Sequence, residues 1–144
     1  MNTTNKIALP SDERVSTKIK LAALWAALMF LYIYADIFSL FRPGHLADMT
    51  AGRMGPFAVT QGSLLGFSVL MMIPAVMVFL SLALKHQVGR WASIILGVLY
   101  TLVNISNLVG ETWAYYLLYG VVELVFTLLI VGHAWRWRNA ANQI

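Results

Sequence analysis

The sequence contains no cysteine and very little charge. Without cysteine, the chain can form no disulfide, no thiolate nucleophile and no cysteine-ligated metal site. Charged residues make up 11% of the 144 residues and hydrophobic residues 60%, whereas a soluble domain of this size needs far more charge on its surface. The composition therefore excludes an ordinary soluble fold and indicates a membrane protein.

The net charge of +4 does not indicate a nucleic-acid partner. The basic residues lie in small groups beside apolar runs, and they do not form a patch with interleaved aromatic residues. We therefore interpret them as signals of membrane topology, and we expect the lipid bilayer as the partner and no nucleic acid.

Four apolar runs are long enough to cross a bilayer, which takes roughly 20 residues of helix. The predicted spans are residues 21–41, 63–84, 91–109 and 113–135. The remaining segments are tails at residues 1–19 and 136–144, an external loop at 42–62, a cytoplasmic link at 85–90 and a turn at 110–112. The sequence thus predicts an all-α polytopic membrane protein with four antiparallel transmembrane helices in a single domain.

Proline and glycine mark the irregular positions of this arrangement. Pro74 falls in the middle of the second span, where its missing amide leaves the carbonyl of Leu70 without a partner and predicts a kink. The loop 42–62 is rich in glycine and proline and too polar for the bilayer core, so it must lie outside the core. A short interfacial helix is predicted near residues 45–51.

The distribution of lysine and arginine predicts the orientation. Eight lie near the ends of the chain or in the link 85–90, against two in the external loop. The eight are Lys6, Arg14, Lys18, Lys20, Lys85, Arg90, Arg136 and Arg138, and the two are Arg42 and Arg53. Because positive residues remain in the cytoplasm, both termini are predicted to be cytoplasmic, in a multi-pass protein of the inner membrane.

Three of the four spans carry polar residues at helical spacing, three or four residues apart. The third has Ser93, Gly97, Tyr100, Asn104, Asn107 and Glu111; the first has Trp25, Met29, Tyr32, Asp36 and Ser39; the fourth has Tyr116, Tyr119, Glu123 and Thr127. Such a stripe of polar side chains cannot face lipid. We therefore predict that the three stripes meet inside the bundle.

The carboxyls of Asp36 and Glu123 need more explanation than the amides and hydroxyls. Asparagine, serine and tyrosine commonly hold membrane helices together by hydrogen bonds, but an ionised carboxylate at the centre of a span costs about 3 kcal/mol. No lysine or arginine within a span is available to pair with them. We therefore predict that Asn104 and Asn107 hydrogen-bond the carboxyls of Asp36 and Glu123. A neutral, protonated acid held in this way is the structural alternative to a functional site.

These considerations give a candidate site. The residues predicted to bind a ligand or a proton are Asp36, Glu123, Asn104, Asn107, Tyr32, Tyr100 and Tyr119, with Glu111, Tyr116 and Trp113 at its outer mouth. The three histidines, His45, His86 and His133, lie at different depths and cannot form a metal or haem site together. We expect no metal and no cofactor.

Two stretches carry a resemblance to a known family. They are YADIFSL, residues 34–40, and VVELVFTLLIVGHAWRW, residues 121–137. The chain resembles a bacterial family of small four-helix membrane proteins of unknown function, whose members have an acid in an ADIFS-like stretch and another before an AW-basic-W ending. The resemblance implies the four-helix fold and points to Asp36 and Glu123, but it implies no reaction.

Three functions fit the sequence. The first is a carrier or conduction unit for protons or a small organic cation, which would bind at a carboxyl within the membrane. The second is a membrane enzyme that uses the paired carboxyls as acid and base on a lipid or sterol-like substrate, although no nucleophile or phosphate-binding pattern accompanies them. The third is an accessory subunit whose polar stripe docks a partner helix.

The GxxxG spacing of Gly62 and Gly66 is compatible with a homodimer.

Overall fold

The computed structural model describes residues 15–137, and four long helices dominate it. The elements are α1 (Thr17–Ser39), α2 (His45–Thr50), β1 (Arg53–Met54), β2 (Phe57–Ala58), α3 (Gln61–Ala83), α4 (His86–Leu108) and α5 (Ala114–Arg136). The four helices α1, α3, α4 and α5 are each 23 residues long and apolar enough to cross a membrane. The predicted all-α multi-pass fold is therefore confirmed.

Polar contacts that hydropathy does not detect determine where α1 begins and connect it to the end of α3. The hydroxyl of Ser16 accepts a hydrogen bond from the amide of Ile19, so the helix begins at Thr17, ahead of the apolar run. Lys18 donates to the carbonyls of Leu82 and Leu84, at 2.9 and 2.8 Å. These carbonyls lie at the end of α3, where no intrahelical amide remains to bond them. The orientation prediction also used three residues that lie outside the described part of the chain, namely Lys6, Arg14 and Arg138.

The long loop contains more structure than the sequence predicted. α2 occupies most of the segment where a short helix was expected, and it begins after Gly44, which has a positive φ of 80°. β1 and β2 then form a small antiparallel hairpin that pairs Arg53 with Ala58. The side chain of Thr60 caps the following helix together with Ser63, and this reciprocal pair fixes the start of α3.

The helices form a bundle in which α1 packs on α3 and α5, and α4 packs mainly on α5. α3 touches α4 only lightly. The core consists mainly of apolar side chains at the centre of the bundle, namely Leu21, Trp25, Leu28, Tyr32, Met77, Ile94, Tyr100, Ile130 and Ala134. Because α3 contributes little to this core, its apolar side chains lie mostly on the outer surface of the bundle.

The bundle has two distinct ends. At one, which we call the terminal end, α1 begins, α5 ends and α3 turns into α4, as shown by the bonds from Lys18 to the end of α3. At the other, which we call the loop end, α1 leads into the long loop and α4 turns into α5 through Gly110, whose φ is 81°. The candidate site lies in the half of the bundle nearer the loop end.

Candidate functional site

A cavity of about 40 Å³ lies between α1, α3, α4 and α5. Its lining is Tyr32, Ala35, Asp36, Leu70, Met71, Tyr100, Val103, Asn104, Asn107, Tyr116 and Glu123. One buried water molecule needs about 10–15 Å³ of such space, so the cavity has room for a few water molecules at most.

Six of the seven residues predicted to bind a ligand or a proton line this cavity. Tyr119 does not, and its ring instead packs on Phe38 with ring centroids 6.2 Å apart. The geometry of α5 explains the difference. Tyr116 and Glu123 are seven residues apart and lie nearly above one another, whereas Tyr119 is rotated by roughly 60° from Tyr116 and roughly 40° from Glu123. The spacing of three or four residues was therefore too coarse to exclude Tyr119.

Asn104 occupies the centre of the site and has a different partner from the one predicted. Its side chain is 1% exposed, and its Oδ1 accepts a hydrogen bond of 2.9 Å from the hydroxyl of Tyr32. The sequence predicted a carboxyl as the partner. Its buried Nδ2 has no hydrogen-bond partner among the described residues. A buried amide of this kind normally binds a water molecule or a ligand, and the adjoining cavity is the space that could hold one.

The two carboxyls enter the cavity from different helices. Glu123 on α5 is buried, with 6% of its surface exposed, and Asp36 on α1 is exposed and lies at the rim. Within residues 15–137, no lysine, arginine or histidine lines the cavity. Asn107 also lies at the rim and is exposed, unlike Tyr100 and Asn104, whose predicted inward orientation is confirmed.

The remaining wall comes from α3, the one span in which no polar stripe was predicted. Leu70 and Met71 line the cavity, and the hydroxyl of Tyr100 donates a hydrogen bond to the carbonyl of Leu70. This is the carbonyl that Pro74 leaves without an intrahelical partner. The proline was thus the available sequence signal that α3 contributes a polar group to the site, although the group belongs to the backbone.

Glu111, predicted at the outer mouth, lies beyond the end of α4 and forms an ion pair with Arg42 at 2.8 Å. Its other oxygen accepts hydrogen bonds from the amides of Thr112 and Trp113, at the start of α5. Burial acts to raise the pKa of Glu111, but the hydrogen bonds from Trp113, Arg42 and Thr112 outweigh it and hold the pKa below its ordinary value. Burial acts to lower the pKa of Arg42, but the bonds to Glu111 and Tyr115 raise it.

Aromatic rings surround the Arg42 guanidinium. It lies 5.2 Å from the ring centroid of Trp113 and 5.1 Å from those of Tyr115 and Tyr116, and its Nε donates to the Tyr115 hydroxyl at 2.6 Å. These distances are typical of cation–π contacts. Tyr116 also lines the cavity, so it connects this charged cluster to the carboxyl site. Sequence reasoning assigned Trp113 and Tyr116 to the mouth but did not predict that Arg42 joins them.

The donor set around the cavity suits protons and small cations better than metal ions. In the described part of the chain, no group of three or more histidine, aspartate or glutamate side chains is arranged to hold a metal. Two carboxyls, three tyrosine rings and two amides instead offer acidic, aromatic and hydrogen-bonding groups.

Fold and cavity together define a class: a small four-helix multi-pass membrane protein with two carboxyls at one cavity between the helices. The chain belongs to a family described as a family of unknown function (DUF6326), which matches residues 11–143. The resemblance to a family of unknown function is thereby confirmed. No curated protein and no solved structure matches the chain.

Proposed function

We propose that this protein is a small carrier or conduction unit that binds a proton or a small organic cation at Asp36 and Glu123. One observation carries the proposal. Two acidic side chains from different helices line the same small cavity, and no basic side chain of the described residues lines it with them. An acid inside a membrane bundle is costly, and helix packing alone does not require two of them at one place.

The chemistry of the cavity favours a small charged ligand. A carboxyl takes up a proton or pairs with a cation, and Tyr32 and Tyr100 add aromatic rings, which attract positive charge, to the lining of the cavity. Its volume of about 40 Å³ suits a proton with its water molecules or a methylammonium ion.

The other two functions are less well supported. Sites that enclose a drug-sized molecule occupy about 300–1,000 Å³, so the cavity by itself does not enclose a whole lipid or sterol-like substrate. A subunit that docks a partner helix through its polar stripe would present that stripe on the outside. Tyr100 and Asn104 instead lie buried between the protein's own helices.

The membrane, the orientation and the partners belong to the same proposal. We propose that the protein lies in the inner membrane of a bacterial cell with both termini in the cytoplasm, because eight lysine and arginine residues lie on the predicted cytoplasmic side and two on the other.

We also propose a homodimer. Gly62 and Gly66, the two glycines of the GxxxG motif, are both exposed on α3, where a second copy could approach closely.

Flux measurements test the proposal. The purified protein is reconstituted into liposomes that contain a pH-sensitive dye, and proton flux is driven by a potassium diffusion potential or by a gradient of methylammonium. We expect flux from the wild-type protein and a fall of at least about tenfold in Glu123→Gln and in Asp36→Asn, because each removes a titratable carboxyl while keeping its shape.

Asp48→Asn is the matched control, since Asp48 is an exposed acid on α2 that pairs with Arg53 away from the cavity. Its flux should equal that of the wild-type protein. If the two cavity variants transport as well as the control, or if the wild-type protein carries neither protons nor methylammonium, the polar stripes serve only to hold the helices together.

A further inference from the structure

A second, apolar depression lies on the outside of the bundle, along the line where α3 meets α4. It has a volume of about 230 Å³ and is lined by Val69, Met72, Ile73, Val76, Met77, Leu80 and Leu96. We call it the groove. It opens on the surface that faces lipid, and all seven side chains are apolar, so it is suited to a hydrocarbon chain.

The residues that line the groove lie next to, or one helical turn from, residues that line the carboxyl cavity. On α3, Leu70 and Met71 line the cavity while the next two residues, Met72 and Ile73, line the groove. On α4, Tyr100 lines the cavity and Leu96, one turn nearer the terminal end, lines the groove. The two spaces are therefore neighbours along the same weakly packed line between α3 and α4.

One hydrogen bond of the described residues joins α3 to α4 at the wall of the cavity. It runs from the Tyr100 hydroxyl to the Leu70 carbonyl, which is accessible because Pro74 has no amide to bond it. α3 and α4 make few other contacts, so little packing must be lost for a ligand to pass between them.

The chemistry of the two spaces differs in a way that specifies one kind of occupant. The groove offers only apolar contacts, and the cavity offers Asp36 and Glu123 without a basic partner among the described residues. A molecule that fills both must have a hydrocarbon tail and a cationic head. Because the cavity holds only a few water molecules, the head must be about the size of water, as a primary ammonium group is.

We propose that the groove and the cavity form one site for an amphiphilic primary amine in its ammonium form, which reaches the protein from the bilayer. The tail lies in the groove, and the ammonium group lies beside Asp36 and Glu123. This inference rests on the proposed function, because the same carboxyls bind the cation.

Binding of alkylamines to the protein in lipid nanodiscs tests the site. Methylamine, hexylamine, hexyltrimethylammonium and n-hexanol are titrated calorimetrically, with empty nanodiscs subtracted. We expect hexylamine to bind at least about tenfold more tightly than methylamine, since the five additional CH₂ groups are buried in the groove. Hexyltrimethylammonium and n-hexanol should each bind at least tenfold more weakly than hexylamine.

Two matched variants separate the groove from the cavity. Val76→Trp fills the groove from its exposed wall, and Val98→Trp places the same ring on the outer face of α4, away from the groove. Val76→Trp should reduce hexylamine affinity to that of methylamine and leave methylamine binding unchanged. Val98→Trp should change neither, and Glu123→Gln should abolish both.

The possible failures are distinguishable. If Glu123→Gln abolishes binding but Val76→Trp retains the advantage of hexylamine, the groove inference is wrong and the proposed function stands. If n-hexanol binds as tightly as hexylamine, the groove is a site for lipid chains and the joint site is refuted. If Glu123→Gln binds methylamine as well as the wild-type protein does, the proposed function fails together with the joint site.

Discussion

At the scale of single residues, Asn104 shows which features of a polar side chain in a membrane helix can be predicted from the sequence. An amide within a span needs hydrogen-bonding partners, so its inward orientation followed from the sequence. The choice of partner did not follow. Tyr32 and Asp36 lie one turn apart on the same face of α1, and depth along the helix does not distinguish them. The structure selects Tyr32 as the partner of Asn104.

The ion pair between Arg42 and Glu111 gives a prediction at this scale. Glu111→Gln should lower the free energy of unfolding in detergent by roughly 1–3 kcal/mol, because it leaves a partly buried guanidinium without its charged partner. Asp48→Asn, which breaks the exposed pair with Arg53, should cost less than about 1 kcal/mol. The measurement is the thermal unfolding of both variants.

The pH dependence of the same pair has a definite sign. Because the folded pKa of Glu111 lies below its ordinary value, the stabilisation is present above the ordinary range of glutamate and is lost as the pH falls through the folded pKa. The difference in stability between wild type and Glu111→Gln should therefore shrink on acidification below about pH 4. A difference that stays constant from neutral to acid pH would contradict the role assigned to the carboxylate.

At the scale of elements, hydropathy predicted the four long helices because each must span the same thickness of hydrocarbon. It placed their ends less well, since the caps and the Lys18 bonds to α3 depend on polar contacts between distant residues. The hairpin β1–β2 has strands of two residues each and carries no alternating pattern that could have revealed it. Close packing of α4 on α5 was also not predicted, because it depends on which helices are neighbours.

Gly97 provides the test of that packing. A Cβ added at Gly97 would lie 2.7 Å from Cγ2 of Val131 on α5, so Gly97→Ala forces the Val131 side chain or the two helices to shift. We expect it to lower the free energy of unfolding by about 1–3 kcal/mol. Gly132→Ala is the matched control, because its Cβ would meet nothing within 4 Å, and it should leave stability unchanged or slightly raised. Equal stability of the two variants would show that α4 and α5 pack less closely around Gly97 than they do in the structure.

At the scale of the whole molecule, the bundle brings together groups that the sequence could only assign to separate helices. Spacing predicted three polar stripes and seven of the cavity-lining side chains, because each stripe must avoid lipid. It did not predict the contribution of Leu70 and Met71 from α3, or the Arg42 cluster beside Tyr116, because these depend on the order of the helices around the bundle. The central claim is that Asp36 and Glu123 act on one shared space.

Infrared difference spectroscopy of the protein in lipid, recorded as the pH is changed, tests this claim most directly. The carbonyl stretching band of a protonated carboxyl is separate from the bands of the ionised form, and Asp36→Asn and Glu123→Gln identify each acid by the band that disappears. Since two carboxyls at one cavity titrate as a coupled pair, removing either acid should shift the titration midpoint of the other. Unshifted midpoints in both variants, with the protein still folded, would contradict the shared site.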